Sequence, residues 1–179
     1  MSKKSPLDAI KALREKTSAS LNDVRVALES AGGDEAKALE LLRQRGAAIA
    51  EKRQGRTTGQ GRVEAYVHHD GRIGALVGVD CETDFVARTP EFIQFCRDLA
   101  MHVAAMDPRY LRAEDVPASV ASARILGEEV KAVCLLEQPF VKDQGTTVHD
   151  LLKALIAKTG ENVVIRRFVK FGVGDTPAA

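Results

Sequence analysis

The sequence contains no tryptophan, and aromatic residues make up only 4% of its 179 residues. Proteins that bind single-stranded nucleic acid usually stack the bases on exposed aromatic rings, so this composition argues against that class. Charges of the two signs nearly cancel, with 26 Lys and Arg against 25 Asp and Glu. Such a chain lacks the general positive field that attracts nucleic acid or an anionic membrane surface. We therefore expect its partner to be neither a nucleic acid nor a membrane.

Cysteines are also scarce, and the three that are present lie far apart in the sequence. Cys81, Cys96 and Cys134 are an odd set without a C-x-x-C motif. Disulfide frameworks and structural zinc sites need closely spaced or even-numbered cysteines, so we expect neither. No signal peptide is recognisable, and no apolar run approaches the roughly 20 residues that a membrane span needs. The sequence predicts a cytoplasmic protein without a metal or cofactor.

The first 47 residues predict three short helices. A capping residue precedes each one: Ser5, Ser20 and Asp34. Apolar residues recur at helical spacing behind each cap. The third helix is predicted to end near Gly46, since glycine is the usual residue after a helix C-terminus. We assign residues 1–47 to a small helical domain.

Residues 48–62 differ in composition from the segments on either side. Gly, Thr and Gln accompany four basic residues, namely Lys52, Arg53, Arg56 and Arg62. This segment predicts a flexible linker. The alternative is an RNA contact, but the near-zero net charge and the absence of interleaved aromatics favour a solvated linker.

The remaining segment, residues 63–179, predicts a domain of mixed helices and strands. Alternating apolar residues flank Asp70-Gly71, which is typical of a two-residue type I′ hairpin turn. Thr89 and Pro90 then begin the longest helix, which Asp107-Pro108 ends. Further predicted elements are a helix within 117–132, a short strand at 133–136, a turn-bearing connection at 137–143, a helix from Thr147 to Gly160, and a strand at 163–171. The fold class is α+β with a small antiparallel sheet.

The sequence contains few recognisable catalytic motifs. Neither a phosphate-binding glycine motif nor a nucleophile elbow is present. His68, His69 and Asp70 could form a metal cluster, but neighbouring side chains in a strand point to opposite faces. Polar residues at the end of a hairpin are therefore the favoured interpretation. Cys81 with His69 or Asp84 would form a hydrolase site only if a base lay within hydrogen-bond reach. A buried cysteine at a strand end is the favoured interpretation.

Two further patterns leave alternatives open. His102 and His149 lie singly in helices, as satisfied interior or surface histidines usually do. Residues 83–86 place a carboxylate and an aromatic ring side by side just after a strand. Phe85 either packs beneath the helix that begins at Pro90, or it is exposed for contact with a partner. The residues alone do not decide between these positions.

An ordered series of segments resembles the family of bacterial translation elongation factor Ts, in its short form. The most distinctive segment is residues 80–88, with the sequence DCETDFVAR. The other matching segments are residues 10–17, 23–28, 33–38, 42–46, 99–105, 108–111, 138–143 and 160–168. They are spread from residue 10 to residue 168, so the resemblance extends over nearly the full length of the chain.

The resemblance implies an architecture and an activity. It implies a ubiquitin-associated-like three-helix domain at 1–47, a linker at 48–62 and a dimerisation-type α+β core at 63–179. It further implies a guanine-nucleotide exchange factor for elongation factor Tu, which binds the GDP-bound and nucleotide-free states and promotes release of GDP and Mg²⁺ so that GTP can rebind. Such a factor is not an enzyme, and a homodimer is among the implied assemblies.

The resemblance also implies two contact sites. Thr83, Asp84, Phe85 and Val86 would dislodge the partner's Mg²⁺, with the Phe85 ring inserted as a wedge. Arg14, Leu21 and Asn22 of the N-terminal domain would dock on the partner's nucleotide domain.

Three departures from the family pattern accompany these matches. Ser18 and Ser20 replace two glycines and Asn22 replaces an apolar residue, the region 117–135 is shorter, and Val169 stands where some short members carry a cysteine. A ubiquitin-associated-like interaction module unrelated to translation is the remaining alternative. It accounts for the three helices but not for residues 80–88.

Overall fold

A computed structural model of the chain describes residues 6–17, 19–117 and 128–175. Its helices are α1 (Pro6–Thr17), α2 (Leu21–Ser30), α3 (Glu35–Arg53), α4 (Asp84–Ala87), α5 (Pro90–Met106), α6 (Glu128–Val133) and α7 (Val148–Thr159), with a 3₁₀ turn at Ala113–Asp115. Its strands are β1 (Gln60–Val67), β2 (Ile73–Cys81), β3 (Pro139–Phe140), β4 (Asp143–Thr147) and β5 (Val163–Gly172). The chain forms two compact units. The first contains Met1–Arg56 and Leu152–Asn162, and the second contains Thr57–Leu151 and Val163–Ala179.

Helices α1, α2 and α3 of the first unit share a small apolar core, made of Leu13, Val24, Ala27, Ala38 and Leu42. The predicted caps at Ser20 and Asp34 are confirmed. Ser20 Oγ accepts from the Asp23 amide at 3.1 Å, and Asp34 Oδ1 accepts from the amides of Ala36 and Lys37 at 2.9 and 3.1 Å. These bonds satisfy amide groups that a helix N-terminus otherwise leaves unpaired. The predicted cap at Ser5 lies outside the described residues.

The predicted end of the third helix at Gly46 is wrong, because α3 continues to Arg53. Residues 48–53 of the predicted linker are therefore helical. Three alanines follow Gly46 within four residues, and alanine is the strongest helix former. A Cβ placed on Gly46 would lie 3.7 Å from Ala157 Cβ, so this turn of α3 packs closely against α7 within the first unit. Packing against a helix distant in sequence offsets the helix-breaking tendency of glycine.

The second unit is built on an antiparallel sheet in the order β1-β2-β5. Helix α5 covers one face of this sheet. The side chains of Ala75, Val77 and Val79 on that face are buried, as are Phe92 and Leu99 of α5. The α+β class with a small antiparallel sheet is thereby confirmed.

The ends of α5 are as predicted, but the hairpin turn is not. Thr89 Oγ1 accepts from the Phe92 amide at 3.3 Å, and Asp107 ends the helix with a φ of 51°. The hairpin loop between β1 and β2 holds residues 69–72, not the two residues of a type I′ turn, and only Gly71 in it has a positive φ, 69°. Asp70 Oδ1 accepts from the Arg72 amide at 3.0 Å, which favours this wider loop.

The predicted strand at 133–136 is also wrong. Helix α6 ends at Val133, Cys134 makes an isolated parallel bridge to Tyr110, and Leu135 and Leu136 lie in a turn. These apolar residues are buried, and a short apolar run reports burial more reliably than strand structure. Of the predicted helix within 117–132, residues 118–127 lie outside the described part of the chain.

The predicted connection at 137–143 contains strand β3 and the start of β4, which pair as a small second sheet. The last two elements agree with the prediction. The Asp150 amide donates to Thr147 Oγ1 at 3.1 Å at the start of α7, and Gly160, with a φ of 71°, follows its end. Strand β5 then occupies Val163–Gly172.

Candidate functional site

The turn from Thr83 to Val86 begins two residues after β2 ends at Cys81. Thr83 has an extended backbone, and its Oγ1 accepts from the Val86 amide at 3.3 Å, so it is the N-cap of α4. Its carbonyl oxygen also accepts from the Ala87 amide at 3.3 Å. The side chain and backbone of Thr83 thus fix the single helical turn that carries Asp84, Phe85 and Val86.

Helix α4 buries one face and exposes the other. Val86 and Ala87 are only 6% and 8% exposed, whereas Phe85 is 79% exposed. The structure therefore decides the alternative that the sequence left open, because the ring does not pack beneath α5. An exposed phenylalanine contributes nothing to the core, so its position favours a contact outside this chain.

Asp84 adds a negative charge beside the Phe85 ring. Its carboxylate lies 3.0 Å from the Arg88 guanidinium, and the two side chains are 59% and 80% exposed. Ion pairs exposed to this degree contribute little to stability and exchange readily with water. The carboxylate is therefore accessible to a group on a partner.

Cys81 is fully buried and lies between two strand neighbours, Gln60 and Val163. Its thiol donates to the Thr83 carbonyl oxygen over an Sγ–O distance of 3.1 Å. His69 belongs to the loop at the opposite end of β2. The candidate pair of Cys81 and His69 is therefore not brought together, and the thiol is directed at the turn.

The two adjacent histidines do lie close together, contrary to the prediction that their side chains diverge. The ring centroids of His68 and His69 are 4.2 Å apart, because His69 lies in the hairpin loop and not in the strand. Tyr66 shares a hydrogen bond of 3.1 Å with His68 Nδ1. In the part of the chain that the structure describes, no three His, Cys, Asp or Glu side chains form a group suited to a metal ion.

The candidate docking residues lie on the surface of the first unit. Arg14 is exposed near the end of α1, and Leu21 and Asn22 are exposed in the first turn of α2. Leu21 is 58% exposed, which leaves most of this apolar side chain available to a partner. The Arg25 guanidinium donates to Asn22 Oδ1 at 3.1 Å, so the amide that replaces an apolar residue is oriented by its own helix.

His102 is a satisfied interior histidine, as the sequence favoured. Its ring is fully buried, Nε2 lies 2.9 Å from Gln138 Oε1, and Nδ1 accepts from the Val141 amide at 3.2 Å. Burial lowers the pKa of His102 below its usual value, although the bond to Gln138 opposes this shift. The neutral His102 ring therefore connects α5 to the β3–β4 region through these two hydrogen bonds, and it is not among the residues of the Thr83–Val86 turn.

Of the helices in the described ranges, none combines the length and apolar character that crossing a bilayer requires.

Comparisons with known proteins identify the family of the chain. The sequence profile described as "Elongation factor TS" matches residues 8–126. A protein of Carboxydothermus hydrogenoformans named elongation factor Ts is 49% identical, with 93% of this chain and 88% of the relative aligned. Proteins of the same name from Rubrobacter xylanophilus and Thermotoga petrophila are 48% and 47% identical, over 92% and 94% of this chain and 97% and 96% of the relatives. The profile match and these relatives show that the chain belongs to the elongation factor Ts family.

Proposed function

We propose that this chain releases GDP and Mg²⁺ from elongation factor Tu by means of the Thr83–Val86 turn. Membership of the elongation factor Ts family indicates the role of nucleotide exchange factor for elongation factor Tu in translation elongation. The observation that supports the turn as the acting part is the 79% exposure of Phe85 on a helical turn whose other face is buried.

Exchange of this kind needs no catalytic acid or base. A factor that binds the nucleotide-free partner more tightly than the GDP-bound partner must weaken GDP binding by the same ratio, because the two equilibria are linked. The factor then dissociates when GTP rebinds, and no covalent bond changes. The chain is accordingly an exchange factor and not a catalyst of a chemical reaction.

The Mg²⁺ ion is the most sensitive point at which to weaken nucleotide binding. Mg²⁺ requires near-ideal octahedral geometry and bridges protein oxygens to nucleotide phosphates. In the proposed mechanism the Phe85 ring enters an apolar gap of the partner and shifts the groups that hold the ion. The Asp84 carboxylate, which its surface ion pair restrains only weakly, perturbs the hydrogen bonds of the same site.

Docking is assigned to the N-terminal helices, which form a ubiquitin-associated-like domain at residues 1–47. Arg14, Leu21 and Asn22 contact the partner's nucleotide domain, with the exposed Leu21 as the apolar anchor. We propose residues 48–62 as the connection to the core at 63–179, with residues 48–53 continuing α3. Division of labour follows from this arrangement: the N-terminal contacts hold the complex together, while the Thr83–Val86 turn acts on the bound nucleotide.

A homodimer is proposed through the face of the sheet opposite α5. Val63, Val67 and Phe171 on that face are 73%, 67% and 63% exposed, and Leu76 is 41% exposed. They share one face because Val67 and Phe171 both pair with Gly74, and Leu76 pairs with Val169. A contiguous apolar patch of this kind marks an interface, and a twofold axis would let each copy cover the other's patch.

Sedimentation velocity tests the dimer. We expect the wild-type chain to sediment as a dimer at micromolar concentration and the Phe171→Asp variant to sediment as a monomer. The Phe85→Ala variant is the control, since α4 lies outside this face of the sheet. A wild-type chain that stays monomeric at all concentrations would overturn the dimer and leave the exchange role intact.

The exchange role is tested by release of a fluorescent GDP analogue from elongation factor Tu. We expect substoichiometric wild-type chain to accelerate release, and Phe85→Ala to slow the accelerated rate about 10- to 100-fold, since burying a phenylalanine is worth about 1.5–3 kcal/mol. Phe85→Leu retains an apolar side chain and should retain part of the rate. Val173→Ala removes a side chain of similar exposure elsewhere on the surface and should leave the rate unchanged. Full activity of Phe85→Ala would refute the wedge.

A further inference from the structure

We propose that Cys81 is a positioning residue for nucleotide exchange, because its buried thiol fastens the Thr83–Val86 turn to the end of β2. This inference rests on the exchange function proposed above and adds a residue to it. Cys81 contacts no nucleotide and performs no chemistry of its own in this role. It acts through Thr83 on the orientation of Phe85.

The Thr83 carbonyl oxygen is the point of attachment. It accepts one hydrogen bond from the Ala87 amide at 3.3 Å, which closes the single turn of α4, and a second from the Cys81 thiol at 3.1 Å. A carbonyl oxygen has two lone pairs, so it can accept from both donors at once. The Thr83 carbonyl group is thus hydrogen-bonded both to α4 and to the last residue of β2.

The anchor itself is rigid. Cys81 is fully buried and is paired with Gln60 of β1 on one side and Val163 of β5 on the other. A buried residue that is paired on both sides at the end of the central strand has little freedom, so a group bonded to its side chain is held in place as well.

The turn needs such an anchor. An isolated helix is marginal below about 12–15 residues, and α4 has only four. Its fixed points include the Thr83 cap, the buried side chains of Val86 and Ala87, and the thiol bond from Cys81. At its other end, the Thr89 hydroxyl and amide donate to the Val86 carbonyl oxygen at 2.8 and 3.0 Å. Phe85 lies between these points and faces solvent, so its direction depends on them.

Loss of the thiol should reduce the time that Phe85 spends in its productive direction. A thiol is a weak donor, so its hydrogen bond to a carbonyl oxygen is worth at most about 1 kcal/mol, which corresponds to at most about a fivefold change in a population. The effect should appear in the maximal rate of GDP release, because the wedge acts within the complex that other contacts hold together. The concentration of exchange factor that gives half-maximal rate should change less than about twofold.

The test is the rate of fluorescent GDP release from elongation factor Tu for Cys81→Ala, Cys81→Ser and the control Cys96→Ala. The control removes an equally buried thiol from α5 and leaves Cys81 itself unchanged. We expect Cys81→Ala to lower the maximal rate about two- to fivefold relative to Cys96→Ala. Cys81→Ser keeps a donor and should restore most of the rate. Equal maximal rates for the two alanine variants would overturn the proposal.

A double variant separates positioning from a general loss of stability. If Cys81 acts through Phe85, then Cys81→Ala should cause no further loss in a Phe85→Ala chain, since residues in one pathway are not additive. If the losses of rate from the two single substitutions multiply in the double variant, the proposal is overturned.

If Cys81→Ala folds poorly by circular dichroism, Cys81→Val and Cys96→Val are compared instead, because valine suits the strand position of Cys81 and leaves no cavity at either site. Failure of wild type to release GDP would refute the exchange function itself, a result distinct from equal rates of the two variants.

Discussion

The buried pair of His102 and Gln138 predicts that the second unit loses stability in mild acid. Val141 donates its amide proton to His102 Nδ1, so Nδ1 is the acceptor and the ring proton lies on Nε2, facing Gln138 Oε1. The Gln138 side-chain amide donates to the backbone oxygens of Met106 and Ala132, at 3.2 and 2.6 Å. Protonation of Nδ1 would place its new proton opposite the Val141 amide proton, so the hydrogen bond between His102 and Val141 would be lost.

The sign and size of this effect follow from the lowered pKa. Burial lowers the pKa of folded His102 below its usual value of 6.5, so the unfolded chain binds the extra proton first as the pH falls. Stability is therefore complete above about pH 6.5 and decreases as the pH falls toward the folded pKa. Between pH 7.5 and 5.5 the loss is at most about 1.4 kcal/mol, the limit for a ring that stays neutral while folded.

Tyrosine fluorescence reports on the unfolding of the second unit, which contains His102. The chain has two tyrosines and no tryptophan, and both Tyr66 and Tyr110 belong to the second unit, as does His102. Urea unfolding at pH 7.5 and 5.5 should show a loss of free energy of about 1 kcal/mol for wild type. His102→Gln should be less stable than wild type at pH 7.5. Because it lacks the titrating ring, its loss of free energy between pH 7.5 and 5.5 should be smaller than the wild-type loss by about 1 kcal/mol. Equal losses for wild type and variant would refute the argument from His102.

Two further predictions concern stability and thiol chemistry. Asp34→Ala removes the acceptor of two amide hydrogen bonds at the start of α3 and should lower the stability of the first unit by about 1 kcal/mol, measured by thermal circular dichroism, whereas Asp34→Asn should retain most of it. An unchanged melting temperature would contradict the role of the cap. Cys81, Cys96 and Cys134 are fully buried, and burial raises the pKa of Cys96 to about 12, so an aromatic disulfide reagent at pH 8 should titrate no thiols in the folded chain and three in urea. Rapid reaction of a thiol in the folded chain would contradict the buried positions.

The sequence predicted well where the determinant is local. The caps at Ser20, Asp34 and Thr89 each depend on a side-chain oxygen three residues or fewer from the amide it accepts, which is visible in a short window. It failed where packing decides, as at Gly46, where α3 continues against α7, a helix about 110 residues later in the chain. It also failed at 133–136, because a short apolar run is compatible with a strand and with a buried turn alike.

The same distinction applies to the candidate site. The composition of residues 83–86 identified the segment, but exposure of Phe85 depends on whether α5 leaves room for the ring, which no local pattern encodes. The thiol bond of Cys81 was equally hidden, since a cysteine before a turn is ordinarily a packing residue. The N-terminal contacts at Arg14, Leu21 and Asn22 remain predictions, as do the boundaries of the three segments of the chain.

The most direct test of the account is the dependence of the Phe85→Ala defect on Mg²⁺. Release of fluorescent GDP from elongation factor Tu would be measured with wild type and Phe85→Ala, first with millimolar Mg²⁺ and then with excess chelator. If Phe85 acts by dislodging the ion, the variant should be slower than wild type by about 10- to 100-fold in the presence of Mg²⁺. Most of that difference should disappear in excess chelator, because the chelator has already removed the ion. A defect of the same size under both conditions would contradict displacement of Mg²⁺ as the function of the Thr83–Val86 turn.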